Sequence, residues 1–496
     1  MIHSIIWVIL EMNSLEEILE ISFAQGVKIT HATNSSKKVQ KDSIFFGLPG
    51  TREHGSSYIK DAFKNGASIA VHNDADFKED LDNVFYVKDL QENDPTNFKS
   101  KIYNFLSELY KTPSGFNPKY YGFTGTNGKS SAAFLSHQLN KEKSFNSLYI
   151  GTLGFQYNDK DLNNLLSSKT TPDIFELFEI FSECKFAIDY ISIEISSHAL
   201  DQGRLDDIKL SYAAILNLEE DHLDYHRNLD EYAKAKFKIL KMTDGIIAIH
   251  NQVVKKYKNF LNSFVEDYKI IKVDKDDLLN DISYSVTNSD IDRTRFTITA
   301  DYEIHFLTSI FPEFNICNLV FALLPLVNNQ VFKKNVINDL SYLQLPKGRA
   351  QIIANIKANV IIDYAHNPQA IRLFLKSINR FYDNLIVVVG CGGNRDSSKR
   401  PLMLKAAIEN SKEVIFTSDN SRNESFSEIF YDACKGNIIE NVKDIENRKE
   451  AIIYGSKLIS HNDCLVILGK GHEETQEINN DFIHFSDHEV IDEIYK

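Results

Sequence analysis

Short apolar runs, each about one strand long, recur along the chain with helical patterns and polar turns between them. In the first part they are Ile44–Phe46, Ile69–Val71 and Val84–Val87. Ser57–Asn65 reads as a helix with Tyr58, Ile59, Ala62 and Phe63 on one face, stopped by Gly66. Asn13–Phe23 has a second amphipathic helix pattern. The middle part alternates strand and turn at Tyr121–Ser131, Leu148–Gly154, Ala187–Ile195 and Ala213–Tyr225. Residues 251–303 are mostly polar and predict peripheral strands and turns, and Phe314–Leu324 predicts a helix. In the last part Val360–Asp363, Leu385–Gly390, Val414–Phe416 and Leu465–Leu468 are strands separated by helical stretches. That is a βα-repeating, largely parallel sheet. It is Rossmann-like without a dinucleotide fingerprint, since Gly392 and Gly393 are too few and wrongly spaced. The class is α/β, with expected domains at 1–110, 111–345 and 346–496.

A chain of 496 residues fits several cores better than one. The net charge of −14, from 55 basic and 69 acidic residues, disfavours a nucleic-acid surface. Five scattered cysteines without a CxxC pair fit a reducing, cytosolic compartment. Met1–Leu10 is apolar but too short to span a bilayer and lacks the basic flank of a signal peptide. It reads either as an extension before a start at Met12 or as a short buried strand.

Chemistry gathers at the ends of the predicted strands. Tyr121–Ser131 reads YGFTGTNGKSS, a strand, a glycine loop and a helix start. Backbone N–H groups of such a loop cradle phosphate oxygens, Lys129 reaches the terminal phosphates and the Ser130 hydroxyl binds Mg²⁺. The general phosphate-loop spacing places a glycine where Phe123 stands. Glu194 ends a buried strand, suited to a second metal-side group opposite Ser130. Asp221, His222, Asp224 and His226 cluster after the next strand, and carboxylates beside phosphate favour magnesium over zinc. Thr170 and Thr171 offer hydroxyls before Pro172, which predicts a helix start there. In the last part TSDNSR (417–422) and GKGHEETQ (469–476) lie at strand ends beside the basic Arg395, Lys399 and Arg400. Basic groups beside glycine turns favour an anionic ligand.

TGTNGKS, the Thr170-Thr171 pair, FN-x-x-N at Phe314–Asn318, Gly348-Arg349, TSDN-x-R and GKGHE together resemble the Mur ligase family. The resemblance runs from about Asn34 to Glu489. It implies the three-domain Mur ligase architecture: a UDP-sugar-binding domain, a central P-loop ATPase-like domain and a Rossmann-like C-terminal domain for the amino acid. By motif correspondence ATP would be held by Thr124, Gly125, Thr126, Asn127, Gly128, Lys129, Ser130, Asn318, Arg349, Asp363 and His366. The UDP-muramyl dipeptide would meet Asn34, Ser36, Thr51, Arg52, Glu53, Lys169, Thr170, Thr171, Ser196, Gln202 and Arg204. Lys129, Glu194, His222 and Lys236 would be catalytic. Mg²⁺ would be held by Ser130, Glu194, His222 and Lys236, the last as a carbamate formed from CO₂; Lys234 is left facing solvent.

The Arg in TSDN-x-R accompanies meso-2,6-diaminopimelate, which would be held by Arg395, Asp419, Asn420, Ser421, Arg422, Gly469 and Glu473. Several positions depart from the family pattern: Lys37 for Arg, Lys169 for Asn, Lys347 for Pro, Gln351 for Glu and Ser421 for Pro. The implied function is ATP-dependent addition of diaminopimelate to the γ-carboxylate of UDP-N-acetylmuramoyl-L-alanyl-D-glutamate through an acyl phosphate, in peptidoglycan precursor synthesis. The alternatives are a lysine-adding counterpart, a folate polyglutamate ligase and a non-ligating P-loop regulator. The expected cofactors are ATP and Mg²⁺. The expected protein is a cytoplasmic monomer acting on small molecules, with no nucleic acid and no membrane span.

Overall fold

The computed structural model describes Leu15 and residues 27–496, except 51–52, 80, 88–94, 163–164, 166–168, 222, 263–267 and 354–357; for 95–99 and 223–224 it describes the backbone alone. The expectations for Met1–Leu10 and Met12 therefore lie outside the described residues. So do Thr51, Arg52 and His222. Among the described residues the strands form sheets of four, twelve, six and two.

The first sheet takes its parallel strands in chain order: His31–Thr33, Ser43–Gly47, Ala67–His72 and Val84–Tyr86. The single helix expected at Ser57–Asn65 is split. A 3-10 turn at Gly55–Tyr58, capped by the His54 ring accepting from the Ser56 N–H, precedes a helix at Ile59–Lys64. Phe46 packs against Phe105 of the helix Pro95–Leu109 and against Phe175 of the helix Ile174–Glu183. One apolar core thus ties the first sheet to the start of the central region. The latter helix starts directly after the Thr170–Asp173 stretch, as expected, and Asp173 caps it in a capping box, its carboxylate taking the Glu176 N–H.

The strand Lys119–Thr124 lies inside the twelve-stranded sheet, between Leu210–Ile215 and Tyr190–Glu194, parallel to both. Parallel neighbours end together, so the residues after Thr124, Glu194 and Ile215 meet on one rim. The helix Lys129–Glu142 leaves that rim and packs against the helix Phe314–Asn328. Residues 251–303 supply the expected strands, Ile270–Lys275, Ile282–Ser289 and Thr294–Thr299, and also two short helices, Asn251–Lys256 and Lys258–Asn262. Val253 and Leu261 are their buried anchors, and a single anchor per helix leaves little periodicity to read.

The six-stranded sheet runs Gln351–Ile352, Val360–Asp363, Cys464–Leu468, Leu385–Val389, Glu413–Phe416, Val442–Asp444. Its edge strand Gln351–Ile352 is antiparallel and the others are parallel. The late strand Cys464–Leu468 sits between two early ones, which brings the loops after Asp363, Val389, Phe416 and Leu468 to one edge. Arg448 and Asp487 brace this edge from behind. Both are buried, with paired hydrogen bonds of 2.8 and 2.7 Å, and Arg448 Nη2 also donates to the Leu468 carbonyl at 3.0 Å. The hairpin Thr475–Ile478 and Asp481–His484 follows. No described helix is long and apolar enough to cross a membrane.

Candidate active site

The loop after Thr124 turns twice in the left-handed or fully extended glycine range, at Gly125 (φ 158°) and Gly128 (φ 87°). Asn217, from the adjoining rim, clamps its tip: Oδ1 accepts the Asn127 N–H at 2.8 Å and Nδ2 donates to the Asn127 carbonyl at 3.0 Å. Thr126 Oγ1 accepts the Glu219 N–H at 2.9 Å and lies 3.1 Å from the Tyr232 hydroxyl. Lys129 folds back, donating to the carbonyls of Gly125 and Thr126 at 2.9 and 2.8 Å. Burial lowers its pKa, against the raising influence of Glu194 and Asp221.

Glu194 is fully buried at the end of its strand. Its carboxylate accepts from Ser130 Oγ at 2.9 Å, from the Thr152 N–H at 2.9 Å, from Thr152 Oγ1 at 3.2 Å and from the Tyr149 hydroxyl. Lys236, 1% exposed, donates to the Gly125 carbonyl at 2.9 Å and to Thr124 Oγ1 at 3.4 Å. Burial, and then the charge of Lys129, hold its pKa well below the usual lysine range. Lys234 is exposed and paired with Glu231.

Three side chains of the last third reach this rim, two of them at the phosphate loop and Lys399 at Asp221 beside it. Arg349, stacked over the Tyr364 ring at 4.3 Å, donates to Ser130 Oγ at 3.2 Å. Asn367 Nδ2 donates to Asn127 Oδ1 at 3.0 Å, and Lys399 pairs with Asp221 at 2.8 Å. Asp363 is buried, which raises its pKa, and its oxygens accept the N–H groups of Ala350 and Ala365 at 2.6 and 2.8 Å. His366 is exposed beside it. Asn318 stands over Gly128 and donates to Asn315 Oδ1 at 2.9 Å.

One cavity of about 1280 Å³ joins the two regions. Asn127, Lys129, Ser130, Glu194 and Lys236 line one wall, and Arg395, Asp419, Asn420, Arg422, Gly469 and Glu473 the other. Behind the second wall Lys470, fully buried, donates to Asn420 Oδ1 at 3.1 Å and to Glu473 Oε2 at 2.9 Å. Gly469 has φ 108°, and a Cβ there would come 2.6 Å from Asp419 Oδ2. Ser421 is buried beneath this wall.

The residues expected at the UDP-muramyl substrate spread wider. Thr170 and Ser196 line the cavity. Asn34 and Lys169 both donate to Asp173, at 3.3 and 3.0 Å. Thr171 is buried and bonded to the Glu194 carbonyl at 2.9 Å, while Arg204 donates to the Thr171 carbonyl at 2.9 Å and to Gln202. Ser36 lies on a 3-10 turn and Glu53 is exposed, both outside the cavity lining. Tyr149, Thr152, Asn217, Asn367, Lys399 and Lys470 were not singled out for the site as individual residues by the sequence, except Lys399 as part of a basic cluster.

A phosphate-binding loop with a buried carboxylate at its hydroxyl, facing a charged pocket on a second sheet, defines an NTP-dependent enzyme that joins groups across a seam. Models of the Mur ligase family catalytic domain, the Mur ligase middle domain and the Mur ligase glutamate ligase domain match residues 28–96, 123–326 and 348–471. The chain is 32% identical over 496 residues to the UDP-N-acetylmuramoyl-L-alanyl-D-glutamate–2,6-diaminopimelate ligase of Rickettsia montanensis, covering 97% of each chain. It is 30% identical to the protein of that name from Clostridium perfringens, over 94% of this chain and 95% of that one. A solved structure of a ligase of the same name aligns with a TM-score of 0.59 at 27% identity, covering 94% of each chain. The UDP-N-acetylmuramoylalanyl-D-glutamyl-2,6-diaminopimelate–D-alanyl-D-alanyl ligase from Acinetobacter baumannii shares the fold, with a TM-score of 0.62 at 14% identity over 98% and 99% of the chains. The chain belongs to the Mur ligase family.

Proposed function

We propose that this protein is an ATP-dependent carboxylate–amine ligase of peptidoglycan precursor synthesis. It adds meso-2,6-diaminopimelate to the D-glutamyl γ-carboxylate of UDP-N-acetylmuramoyl-L-alanyl-D-glutamate in the cytoplasm. The observation that carries the reading is the single cavity running from the phosphate loop to Arg422 and Glu473. The activity named for its relatives supports the choice of acceptor. The three parts act as a UDP-sugar domain, an ATP domain and an amino-acid domain with the boundaries expected above.

The γ-carboxylate attacks the γ-phosphorus of ATP, an acyl phosphate forms and ADP leaves. The acceptor amine then attacks the acyl carbon and phosphate departs with the bonding pair. Backbone N–H groups of 125–130 hold the phosphates, and Lys129, released from the loop carbonyls, neutralises the transferring group. Arg349 approaches from the other sheet at Ser130, so nucleotide binding and domain closure act on the same hydroxyl. Closure excludes water from the acyl phosphate.

The oxygens of Ser130 and Glu194, 2.9 Å apart, are hard donors that fit Mg²⁺. Magnesium held there supplies charge neutralisation to the phosphate oxygens. His222 and Lys236 are the proposed holders of a second ion. A carbamate on Lys236 fits its environment, because burial favours the neutral amine, the form that reacts with CO₂.

The test is phosphate release by purified protein with ATP, Mg²⁺ and the UDP-muramyl dipeptide. Release should require diaminopimelate, with lysine compared in parallel. Release with neither amino acid would sink the assignment, and release with lysine alone would reassign the acceptor.

A further inference from the structure

Arg422 has an unusual support. Its backbone lies at φ 50°, the left-handed region that non-glycine residues seldom occupy, and Ser421 before it has no ring to restrain the turn. The conformation is held from the hairpin instead. The Arg422 N–H donates to the Glu477 carbonyl at 3.0 Å, and its carbonyl accepts the Asn479 N–H at 2.8 Å. The side chain is fixed by the same strand: Nε donates to Glu477 Oε2 at 2.8 Å, while Nη1 donates to the Gly393 carbonyl at 2.8 Å. Among the described residues Nη2 has no hydrogen-bond partner, and Arg422 lines the cavity. Both partners of the ion pair are about four-fifths shielded, at 21% and 22% exposure. The strand itself is tied to the acceptor loop, since Gln476 Nε2 donates to the Asp419 carbonyl at 2.7 Å and the Glu477 N–H to Asn420 Oδ1 at 3.0 Å.

We propose that Glu477 is a positioning residue for the acceptor: it locks Arg422 so that the remaining guanidinium edge grips the far carboxylate of a diamino dicarboxylic acid. This rests on the functional reading above. An arginine left to rotate over four torsions must be ordered when the acceptor binds, whereas one already held on two edges need not be. The sign of the effect separates positioning from charge. Removing the glutamate makes the pocket more positive, which on Coulombic grounds alone would tighten carboxylate binding. Positioning predicts weaker binding.

The experiment compares wild type, Glu477→Ala and Glu477→Gln, measuring KM for diaminopimelate, ATP and the UDP-muramyl dipeptide, with kcat. Glu477→Ala should raise KM for diaminopimelate about tenfold, the loss of one shielded charge-assisted bond. KM for the other two substrates should stay within about twofold, and Glu477→Gln, which keeps an oxygen acceptor for Nε, should recover most of the loss. In an Arg422→Ala background the second substitution should add nothing. An active wild type with an unchanged or lower diaminopimelate KM in Glu477→Ala would overturn the proposal alone. So would an equal rise in all three KM values, the mark of general loosening. A wild type inactive with diaminopimelate would overturn the reaction assignment and this proposal with it.

Discussion

Gly128→Ala probes the phosphate loop most directly. At φ 87° an alanine sits in the left-handed region, at a cost of about 1–2 kcal/mol. Its Cβ would also fall 2.3 Å from Asn318 Oδ1 and 3.0 Å from Cγ. Asn318 cannot swing away freely, because it is buried and bonded to Asn315 Oδ1 at 2.9 Å. Breaking that bond leaves a buried amide unsatisfied, about 1–3 kcal/mol. Together these oppose the native loop by roughly 2–5 kcal/mol. The assay is the urea unfolding midpoint with KM for ATP, on Gly128→Ala, Asn318→Ala and the double variant. The double variant removes the clash and keeps the backbone cost and the loss of the Asn318 side chain, so the two single losses should exceed the double loss by about 1–3 kcal/mol. Strict additivity, or a Gly128→Ala protein with wild-type midpoint and KM, would refute the reasoning.

Lys236→Ala should abolish ligation measured by phosphate release, with the fold intact by circular dichroism; a fully active variant removes Lys236 from the mechanism. Asp487→Ala strands the buried Arg448 charge and should cost about 3–5 kcal/mol in urea unfolding. Acid should destabilise the chain through His472 and His137. Burial first, then Arg349 and Lys347, hold His472 at about 3, and burial holds His137 at about 4. Between these values and about 6.5 the unfolded chain binds more protons, so stability rises with pH and falls on acidification, by up to about 1.4 kcal/mol per pH unit for each group. His137→Gln should flatten that slope, and an unchanged slope would exclude the histidine.

The strand-to-loop units were legible because a buried parallel strand is a continuous apolar run, as at Leu385–Val389 and Cys464–Leu468. The glycine loop was legible for the same local reason, since its turns need glycine within a few residues. Their pairing was not. Nothing near Glu194 tells that Tyr149 and Thr152 donate to it, because those contacts depend on strand order. Asn217 and Asn367 meet Asn127 from 90 and 240 residues away. Lys470 reads as part of a glycine turn, yet it is a buried cation bridging two loops. The split helix at Ser57–Asn65 shows the other limit: apolar spacing finds an element, while a single polar side chain, here His54, decides where it starts.

The second wall of the cavity has a consequence for how such an enzyme diversifies. Asn420 and Arg422 bond to the segment after Leu468 that carries Lys470, Glu473 and Glu477. The links to the phosphate loop come from Arg349 and Asn367, and Lys399 pairs with Asp221 on the adjoining rim; all three lie outside those two segments. On the proposed assignment, acceptor choice rests on residues 417–422 and 469–477 together with Gly393, which holds Arg422, and Arg395 on the same wall. Exchanging these segments together between relatives should retune which amine is joined, provided that the Lys347–Glu474 pair and the close approach of Gly348 to Gly471 are kept.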